Sequence, residues 1–339
     1  MDDYWTALAD FLASAPEGVG VSLAPRGVSE VISGLTSFAD WNRIQMISRV
    51  IVHKGLVNEI PNGLLEGLFG TTHPSFANEV FVVYEITPTR DEHVRSAELA
   101  VAEEFLRRSG HLTREAHERA CATDVMPERR KNADPAFVGM PDLDGSLGFE
   151  WQFERFFGPR LGKRADGFAS LFAALAERQR PLIIETGCLR TPDNWEGDGQ
   201  SSFIFDAFVR DRKGQFLSID ASVESIATAR RACSSASNFI CNDSVGALHA
   251  LSTLVRGPAD LLYLDSFDLD SANPLPSAIH HAMELTAARP LIGPGTIVCV
   301  DDYCVGGEPG GKGLILDMFF TSIRTEELYS GYQKIWRLP

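Results

Sequence analysis

The chain has 339 residues, with 46 acidic and 31 basic side chains, a formal net charge of −15 and 44% hydrophobic residues. This composition is typical of a globular protein of one large or two modest domains, and it excludes a disordered or low-complexity chain. The acidic excess argues against a nucleic-acid or anionic-membrane partner, because a phosphate-binding surface needs a basic excess.

The N-terminal half has mixed α/β patterning. It predicts strands over 49–53 and 79–85 and helices over 3–14, 63–69, 89–108 and 112–123. A segment rich in proline, aspartate, glycine and basic residues over 126–148 is the best linker candidate. The sequence therefore predicts two domains, 151–339 and 1–150, with the role of the latter open between substrate and oligomer contacts.

The C-terminal half alternates helical segments with short apolar runs. The runs lie at 182–185, 215–220, 238–243, 260–265 and 296–302. A last helix over 314–322 leads to a closing strand over 332–338. Such alternation predicts an α/β fold with a doubly wound, mostly parallel sheet and helices on both of its faces.

The sequence shows neither a targeting or membrane-spanning segment nor a paired-cysteine motif, and this predicts where the protein is located and the redox state of its thiols. The first residues lack the basic segment and apolar run of a signal peptide, and no stretch is apolar for long enough to cross a bilayer. The six cysteines form no CxxC pair, as is typical of reduced thiols. We therefore expect a cytoplasmic protein without a membrane partner.

Nearly every strand of the C-terminal half ends in a carboxylate. The acids are Glu185, Asp220, Asp243, Asp265 and the pair Asp301-Asp302. In doubly wound sheets the ligand crevice lies outside the carboxyl ends of the strands, so these side chains should gather on one rim. Each acid alone could simply cap the following helix, but five strand ends in a row are poorly explained that way.

The same strand ends resemble the motifs of class I S-adenosylmethionine-dependent methyltransferases. The matching residues are Glu185-Thr186-Gly187, Asp220, Asp243-Ser244, Asp265 and Gly293-Pro294-Gly295-Thr296. The resemblance spans 168–339 and is closest to the metal-dependent sugar O-methyltransferases of the macrocin type. It implies a seven-stranded Rossmann-like sheet, S-adenosylmethionine as cofactor, and methyl transfer to a hydroxyl of a sugar or sugar-bearing small molecule.

The resemblance also assigns residues to the cofactor. These are Glu185, Gly187, Gly199, Ser201, Ser202, Asp220, Asp243, Ser244 and Asp265. Asp220 would hold the ribose hydroxyls, Glu185 the amino group and Asp243 the adenine. An insertion at 191–198 interrupts the first motif, and we expect its Trp195 to order over the bound ligand.

Three carboxylates at neighbouring strand ends form the most specific candidate site in the sequence. Asp265, Asp301 and Asp302 would repel one another if bare, and Mg²⁺ or another hard divalent cation would remove the conflict. Asp265, Asp268 or His281 is the candidate general base. The alternatives are a solvated acidic loop and a histidine that merely packs.

A glycine-rich segment over 306–313 follows the acidic pair. It lacks the hydroxyl residue that a Walker phosphate loop requires directly after Lys312. We therefore interpret the segment as a mobile flap that brings Lys312 near the substrate.

Other functions fit parts of the pattern. A metal-free N-methyltransferase of a small molecule and a non-catalytic methyltransferase-like scaffold both stay open. A nicotinamide-dependent oxidoreductase is disfavoured, because residues 187–202 do not supply the G-x-G-x-x-G fingerprint. The expected partner is a small-molecule acceptor, and assembly into a homo-oligomer stays open.

Overall fold

The computed structural model describes residues 3–14, 20–44, 46–61, 64, 68, 72–85, 132–141, 147–197, 200–255 and 257–339. The helices predicted over 89–108 and 112–123, most of 63–69, and Gly199 lie outside the described residues. The chain divides into two compact units. The first comprises Met1–Arg129, Ile240–Asn242 and Gly246–Arg256, and the second Arg130–Phe239, Asp243–Val245 and Gly257–Pro339.

The first sheet has five strands. They are β1 (Val21–Ala24), β2 (Leu35–Ser37), β3 (Ile47–His53), β4 (His73–Ala77) and β5 (Phe81–Glu85), in the spatial order β2-β1-β3-β5-β4. The strands predicted over 49–53 and 79–85 are confirmed as β3 and β5. Strand β1 is parallel to both neighbours, whereas β5 is antiparallel to β3 and β4. Arg49 and Glu85 face each other across β3 and β5 and form an ion pair.

The α-helices of the described residues pack around two sheets. They run over Asp3–Ser14, Arg26–Ser29, Phe149–Gln152, Ala165–Leu175, Ser201–Arg212, Val223–Ala232, Ser244–Leu251, Leu275–Ala287 and Leu314–Ser322. The predicted helices 3–14 and 314–322 are confirmed with their bounds. At the start of one helix the Ser222 hydroxyl accepts a hydrogen bond from the Ser225 N–H at 3.1 Å, which caps it. No helix among the described residues is both long and apolar enough to span a bilayer.

The second sheet has seven strands, and a two-stranded hairpin follows its fifth. The strands are β6 (Leu182–Thr186), β7 (Gln215–Asp220), β8 (Ser237–Cys241), β9 (Leu261–Leu264), β10 (Ile297–Val300), the hairpin β11 (Cys304–Val305) and β12 (Glu308–Pro309), β13 (Glu326–Ser330) and β14 (Lys334–Arg337). The sheet order is β13-β14-β10-β9-β6-β7-β8. Strand β6 is parallel to β7 and β9, and β9 to β10, whereas β14 is antiparallel to β10 and β13. The predicted doubly wound, mostly parallel, seven-stranded sheet is confirmed.

The order of this second sheet fixes where a ligand crevice can form. Strands β6, β9 and β10 are buried along their whole length, as a parallel sheet covered on both faces requires. The chain passes from β6 to β7 on one side, and β9 lies on the other, so the strand order reverses between β6 and β9. Doubly wound sheets bind ligands at such a switch point, beyond the carboxyl ends of the strands.

Candidate functional site

A cleft opens at the carboxyl ends of β6, β7, β9 and β10. Its lining includes Gly187, Asp220, Asp265, Asp301, Asp302 and Lys312. The acids come from three strand ends or the loops directly after them, those of β7, β9 and β10, and they meet because parallel strands end at the same edge of the sheet. The structure thus brings most of the strand-end acids into one cleft.

Gly187 and Asp220 form the side of the cleft next to β6 and β7. Gly187 has φ +80°, and a Cβ there would lie 2.4 Å from the carbonyl oxygen of Asp265, so only glycine fits. The Cys188 N–H donates to Asp220 Oδ2 at 3.0 Å, and the Ser222 N–H donates to Oδ1 at 2.7 Å. These bonds fix the carboxylate while each oxygen keeps a lone pair, which fits a ligand with two vicinal hydroxyls.

Glu185, in β6, is wholly buried. The hydroxyls of Ser202 and Ser218 each donate to its Oε2 at 2.6 Å, and Oε1 has no hydrogen-bond partner among the described residues. Burial raises the pKa of Glu185 from 4.5 to about 8, against the opposing effect of the serine hydroxyls. A buried carboxyl oxygen without a partner is costly, and a ligand donor would relieve that cost.

The other residues predicted to contact the cofactor differ in exposure. Ser201 and Ser202 are wholly buried at the start of the helix that follows β6. Asp243 is exposed, and Ser244 is buried with its hydroxyl 3.1 Å from His280 Nε2. Contact of these residues with a cofactor stays a prediction.

Asp265, Asp301 and Asp302 converge after β9 and β10, but each already has a cation beside it. Lys312 Nζ lies 2.5 Å from Asp265 Oδ1 and 3.1 Å from Asp302 Oδ2. Arg164 Nη2 lies 2.5 Å from Asp301 Oδ2 and 3.7 Å from Asp265 Oδ2. The side chains of both cations are only 3% exposed. Three carboxylates and two cations therefore form one largely buried ion network.

This network sets the charge state of its members. Burial disfavours the charge on Lys312, yet Asp265 and Asp302 hold its pKa above the ordinary value, so it stays an ammonium. Burial raises the pKa of Asp301, and Arg164 opposes that shift. Burial acts in the same direction on Asp302, but Lys312 outweighs it and the pKa of Asp302 falls.

A divalent cation does not fit this arrangement. Mg²⁺ and Ca²⁺ hold oxygen ligands at about 2.0–2.6 Å, so a metal bound to Asp265 and Asp302 would lie against the ammonium of Lys312. Among the described residues, no group of three or more histidine, cysteine or acidic side chains is placed to hold a metal ion. The Mg²⁺ centre expected on Asp265, Asp301 and Asp302 does not match the structure, because internal cations already compensate the three carboxylates.

An arginine and two tyrosines of the network are not predicted from the sequence. Arg164 donates to the Tyr263 hydroxyl at 3.1 Å, and that hydroxyl donates to Asp301 Oδ2 at 3.0 Å. The Tyr332 hydroxyl donates to Asp302. Arg164 precedes a helix in a short basic stretch and carries no local signal. Tyr263 carries a weak one, since a tyrosine inside a buried strand needs a partner for its hydroxyl.

The three candidate bases differ in access to the cleft. Asp265 lines it, with its side chain 16% exposed. Asp268 is exposed, and Arg190 Nη1 contacts both of its oxygens at 2.9 and 3.0 Å. His281 is wholly buried, its Nδ1 lies 2.7 Å from the Ser277 carbonyl oxygen, and burial lowers its pKa to about 4. Asp265 is therefore the candidate best placed to meet a ligand.

The last residues of the glycine-rich segment, 311–313, pack closely and position Lys312, whereas residues 306–309 are exposed. The mobile flap expected from the composition stays a prediction for the exposed part and does not match the packed part. A Cβ on Gly311 would lie 1.9 Å from the Asp302 carbonyl oxygen, and one on Gly313 would lie 2.7 Å from a side chain of β10. Glycine lets the backbone approach that closely. Lys312 between them is only 2% exposed, so the segment inserts this side chain into the network.

Trp195, in the insertion that interrupts the first motif, is buried, whereas we expected it to close over a ligand. The residue is 5% exposed, and its Nε1 donates to the Val138 carbonyl oxygen at 2.8 Å. Its ring stacks on Phe157 with centroids 5.9 Å apart. The insertion is thus anchored in the second unit by a packed aromatic side chain.

Comparisons with known proteins find likeness among solved structures. No family model matches the chain, and no curated protein matches it. The chain is similar to the MycE methyltransferase from the mycinamycin biosynthetic pathway in complex with Mg, SAH and mycinamycin VI, at 15% identity over 86% of this chain and 73% of that chain, with a TM-score of 0.39. It is also similar to an O-methyltransferase from Bacillus cereus in complex with SAH, at 13% identity over 56% of this chain and 96% of that chain (TM-score 0.36). A third similar structure is the N-methyltransferase NodS from Bradyrhizobium japonicum WM9, at 14% identity over 53% and 97% (TM-score 0.33).

Proposed function

We propose that the chain is an S-adenosylmethionine-dependent O-methyltransferase acting on a hydroxyl of a sugar or sugar-bearing small molecule, such as a natural product or glycan precursor. One observation carries the proposal: a single cleft at the switch point joins a ribose-type site to a carboxylate suited to a hydroxyl. Gly187 and Asp220 make the first half, and Asp265 with Lys312 makes the second. The resemblance of the strand-end motifs supports the same function.

The first half of the cleft would bind the cofactor. Asp220 would accept hydrogen bonds from the ribose hydroxyls, and Gly187 would let the ligand approach the backbone. The cationic amino group would favour the ionised form of Glu185, whose Oε1 would then accept a hydrogen bond from it, and Asp243 with Ser244 would contact the adenine. Bound S-adenosylmethionine supplies an electrophilic methyl group, whose carbon bonds to the acceptor oxygen as the carbon–sulfur electron pair stays on sulfur.

The second half would orient the acceptor and take its proton. Lys312 Nζ lies 2.5 Å from Asp265 Oδ1, whereas Oδ2 has, among the described residues, the longer 3.7 Å contact with Arg164. A hydroxyl hydrogen-bonded to Oδ2 would pass its proton there as the oxygen is methylated. Holding the reacting atoms in line would supply much of the rate, since the methyl donor is already reactive.

A second candidate is a metal-free N-methyltransferase of a small molecule. The observation in its favour is the ion network, in which Lys312 and Arg164 stand where a metal that acidifies a hydroxyl would bind. A neutral amine needs no such activation before it attacks. The third possibility, a non-catalytic scaffold, would bind no S-adenosylmethionine.

The N-terminal region enters the proposal separately. We propose that residues 1–150 provide substrate or oligomer contacts and that residues 151–339 carry the methyltransferase site. In favour of a distinct role, the described part of the first unit has its own five-stranded sheet and two apolar clusters of its own. Light scattering of the full chain tests the oligomer contacts, which a monomeric chain would contradict.

Calorimetric titration of the full chain tests the cofactor. We expect S-adenosylmethionine and S-adenosylhomocysteine to bind and NAD⁺ not to bind. Mass spectrometry of reactions with hydroxyl and amine acceptors then separates O-methylated from N-methylated products. A chain that binds neither adenosyl compound contradicts a methyltransferase and favours the scaffold, and a chain that binds only NAD⁺ favours an oxidoreductase.

A further inference from the structure

Lys312 is a buried ammonium in the middle of a carboxylate cluster. Its side chain is 3% exposed, yet it lines the cleft. An ammonium has three N–H donors, and those of Lys312 reach Asp265 Oδ1 at 2.5 Å and Asp302 Oδ2 at 3.1 Å. With Arg164 on Asp301 at 2.5 Å, every carboxylate of the cluster has a cation of the chain within ion-pair distance.

The backbone around Lys312 restricts where this charge can lie. The Lys312 N–H donates to the Asp302 carbonyl oxygen at 3.3 Å, so the main chain and the side chain of Lys312 both contact Asp302. Gly311 and Gly313 leave no room for a Cβ on either side. The ammonium is therefore held at a set point between two carboxylates, much as a ligand shell holds a metal ion.

We propose that Lys312 is a resident cation that takes the place of a divalent metal in this site and binds the oxygen of the methyl acceptor through its remaining N–H. The second part of this inference rests on the proposed function, whereas the first is a property of the chain itself. A fixed positive charge beside the acceptor oxygen stabilises the negative charge that develops there as the proton passes to Asp265 Oδ2. The transfer then requires no divalent metal.

A second buried lysine provides a matched control. Lys334 lies 2.9 Å from both Asp317 Oδ1 and Glu327 Oε2, with its side chain 8% exposed. It thus resembles Lys312 in burial and in pairing with two carboxylates. It lies in β14 and is not among the residues that line the cleft.

Binding of Mn²⁺ alone, followed by electron paramagnetic resonance, tests the first part without any acceptor. We expect wild type and Lys334→Ala to bind no Mn²⁺ at micromolar concentration. Lys312→Ala should gain a site with an affinity raised about 100-fold or more, because a unit positive charge a few ångströms away is removed. Asp302→Asn in the Lys312→Ala background should abolish the gained site.

The outcomes separate this inference from the proposed function. The inference would be overturned if wild type bound Mn²⁺ tightly and Asp302→Asn abolished that binding. This comparison needs no lysine variant. Folded Lys312→Ala without a gained site would also overturn it, and Lys312→Gln, which keeps the side-chain length without the charge, replaces the alanine variant if that chain does not fold. Titration of the same samples with S-adenosylmethionine reports on the methyltransferase proposal independently.

Discussion

Both halves of the cleft carry acidic side chains, but the negative charge of these side chains is stabilised in different ways. After β6 and β7, Glu185 and Asp220 are held by serine hydroxyls and backbone N–H groups. After β9 and β10, Asp265 and Asp301 are held by two buried cations. A row of strand-end acids that is uniform in sequence thus divides into two chemically different groups.

This difference decides what each half can bind. A carboxylate held by neutral donors keeps its capacity to accept from a hydroxyl or a cationic group of a ligand. A carboxylate paired with a buried cation is compensated inside the chain, and removal of its partner leaves an expensive uncompensated charge. The half after β6 and β7 therefore suits a ligand with hydrogen-bond donors or a positive charge. The half after β9 and β10 suits a neutral ligand, because its carboxylates are already paired with cations of the chain.

The largest effect is expected when the proton acceptor of the ion-paired half is removed. Asp265→Asn should lower turnover about 10²–10⁴-fold, the range typical of a general base. The rate is measured as methylated product at saturating S-adenosylmethionine. Asp268→Asn is the control, since Asp268 is exposed and paired with Arg190, and it should stay within a few-fold of wild type. Equal losses in the two variants would contradict the choice of Asp265.

Breaking the ion pair itself should cost stability. Arg164→Met leaves Asp301 without its buried cation and should lower the free energy of unfolding by about 3–5 kcal/mol, as measured in urea. Arg337→Met provides the comparison, because its pair with Glu326 is 37% and 58% exposed and such pairs contribute at most about 1 kcal/mol. Similar losses in both variants would argue against the network as a buried element.

In the hydrogen-bonded half, the stability should depend on pH through Glu185. The pKa of Glu185 is about 8 in the folded chain, against an ordinary value of 4.5. Between pH 4.5 and pH 8 the folded chain therefore keeps a proton on Glu185 that the unfolded chain releases. The free energy of unfolding should therefore fall as pH rises through this window, by up to about 1.4 kcal/mol per pH unit.

Glu185→Gln removes that proton and should flatten the dependence. Asp301, whose pKa burial also raises, contributes a slope of the same sign to both proteins, so the difference between them isolates Glu185. Urea unfolding at the two ends of the window measures it. Superimposable pH profiles for wild type and Glu185→Gln would refute the raised pKa.

The smallest effect is expected on cofactor affinity. Asp220→Ala should weaken S-adenosylmethionine binding by about 1.5–3 kcal/mol, the value of a hydrogen bond to a charged group. Calorimetry measures it, with Asp270→Ala as the control because Asp270 is exposed and its carboxylate accepts a hydrogen bond from the Ala272 N–H within its own turn. Unchanged affinity in a folded Asp220→Ala chain would place the cofactor elsewhere.

Elements with a local apolar pattern could be predicted from the sequence. The helices 3–14 and 314–322 and strand β7 (Gln215–Asp220) have the predicted bounds, because neighbours in the chain set their spacing. Strand β13 is not predicted, since its first residues, Glu326 and Glu327, are exposed and offer no apolar alternation. Its place in the sheet depends on pairing with β14.

The acids, Gly187 and the approach of Lys312 to the cleft were predictable, whereas the ion pairs of the acids were not. Strand order places Asp220, Asp265 and Asp301 at one edge of the sheet, so their convergence follows from topology. The cations that meet them come from outside the strands: Arg164 precedes the sheet and Lys312 follows β10 within a loop. Nothing local in the sequence tells which carboxylate a distant lysine or arginine will reach, and three acids without visible partners therefore suggested a metal.

Gly187 also determines a length. Because a Cβ there would lie 2.4 Å from the Asp265 carbonyl oxygen, the loops after β6 and β9 meet backbone to backbone. Asp220 would hold the ribose and Asp265 would accept the proton. The distance between their loops therefore depends on the absence of a Cβ at residue 187. Alanine at this position would widen that distance by a fraction of an ångström, and in-line transfer is sensitive to displacements of that order. The size of the side chain at residue 187 should therefore affect the rate of methyl transfer more than the affinity for either ligand.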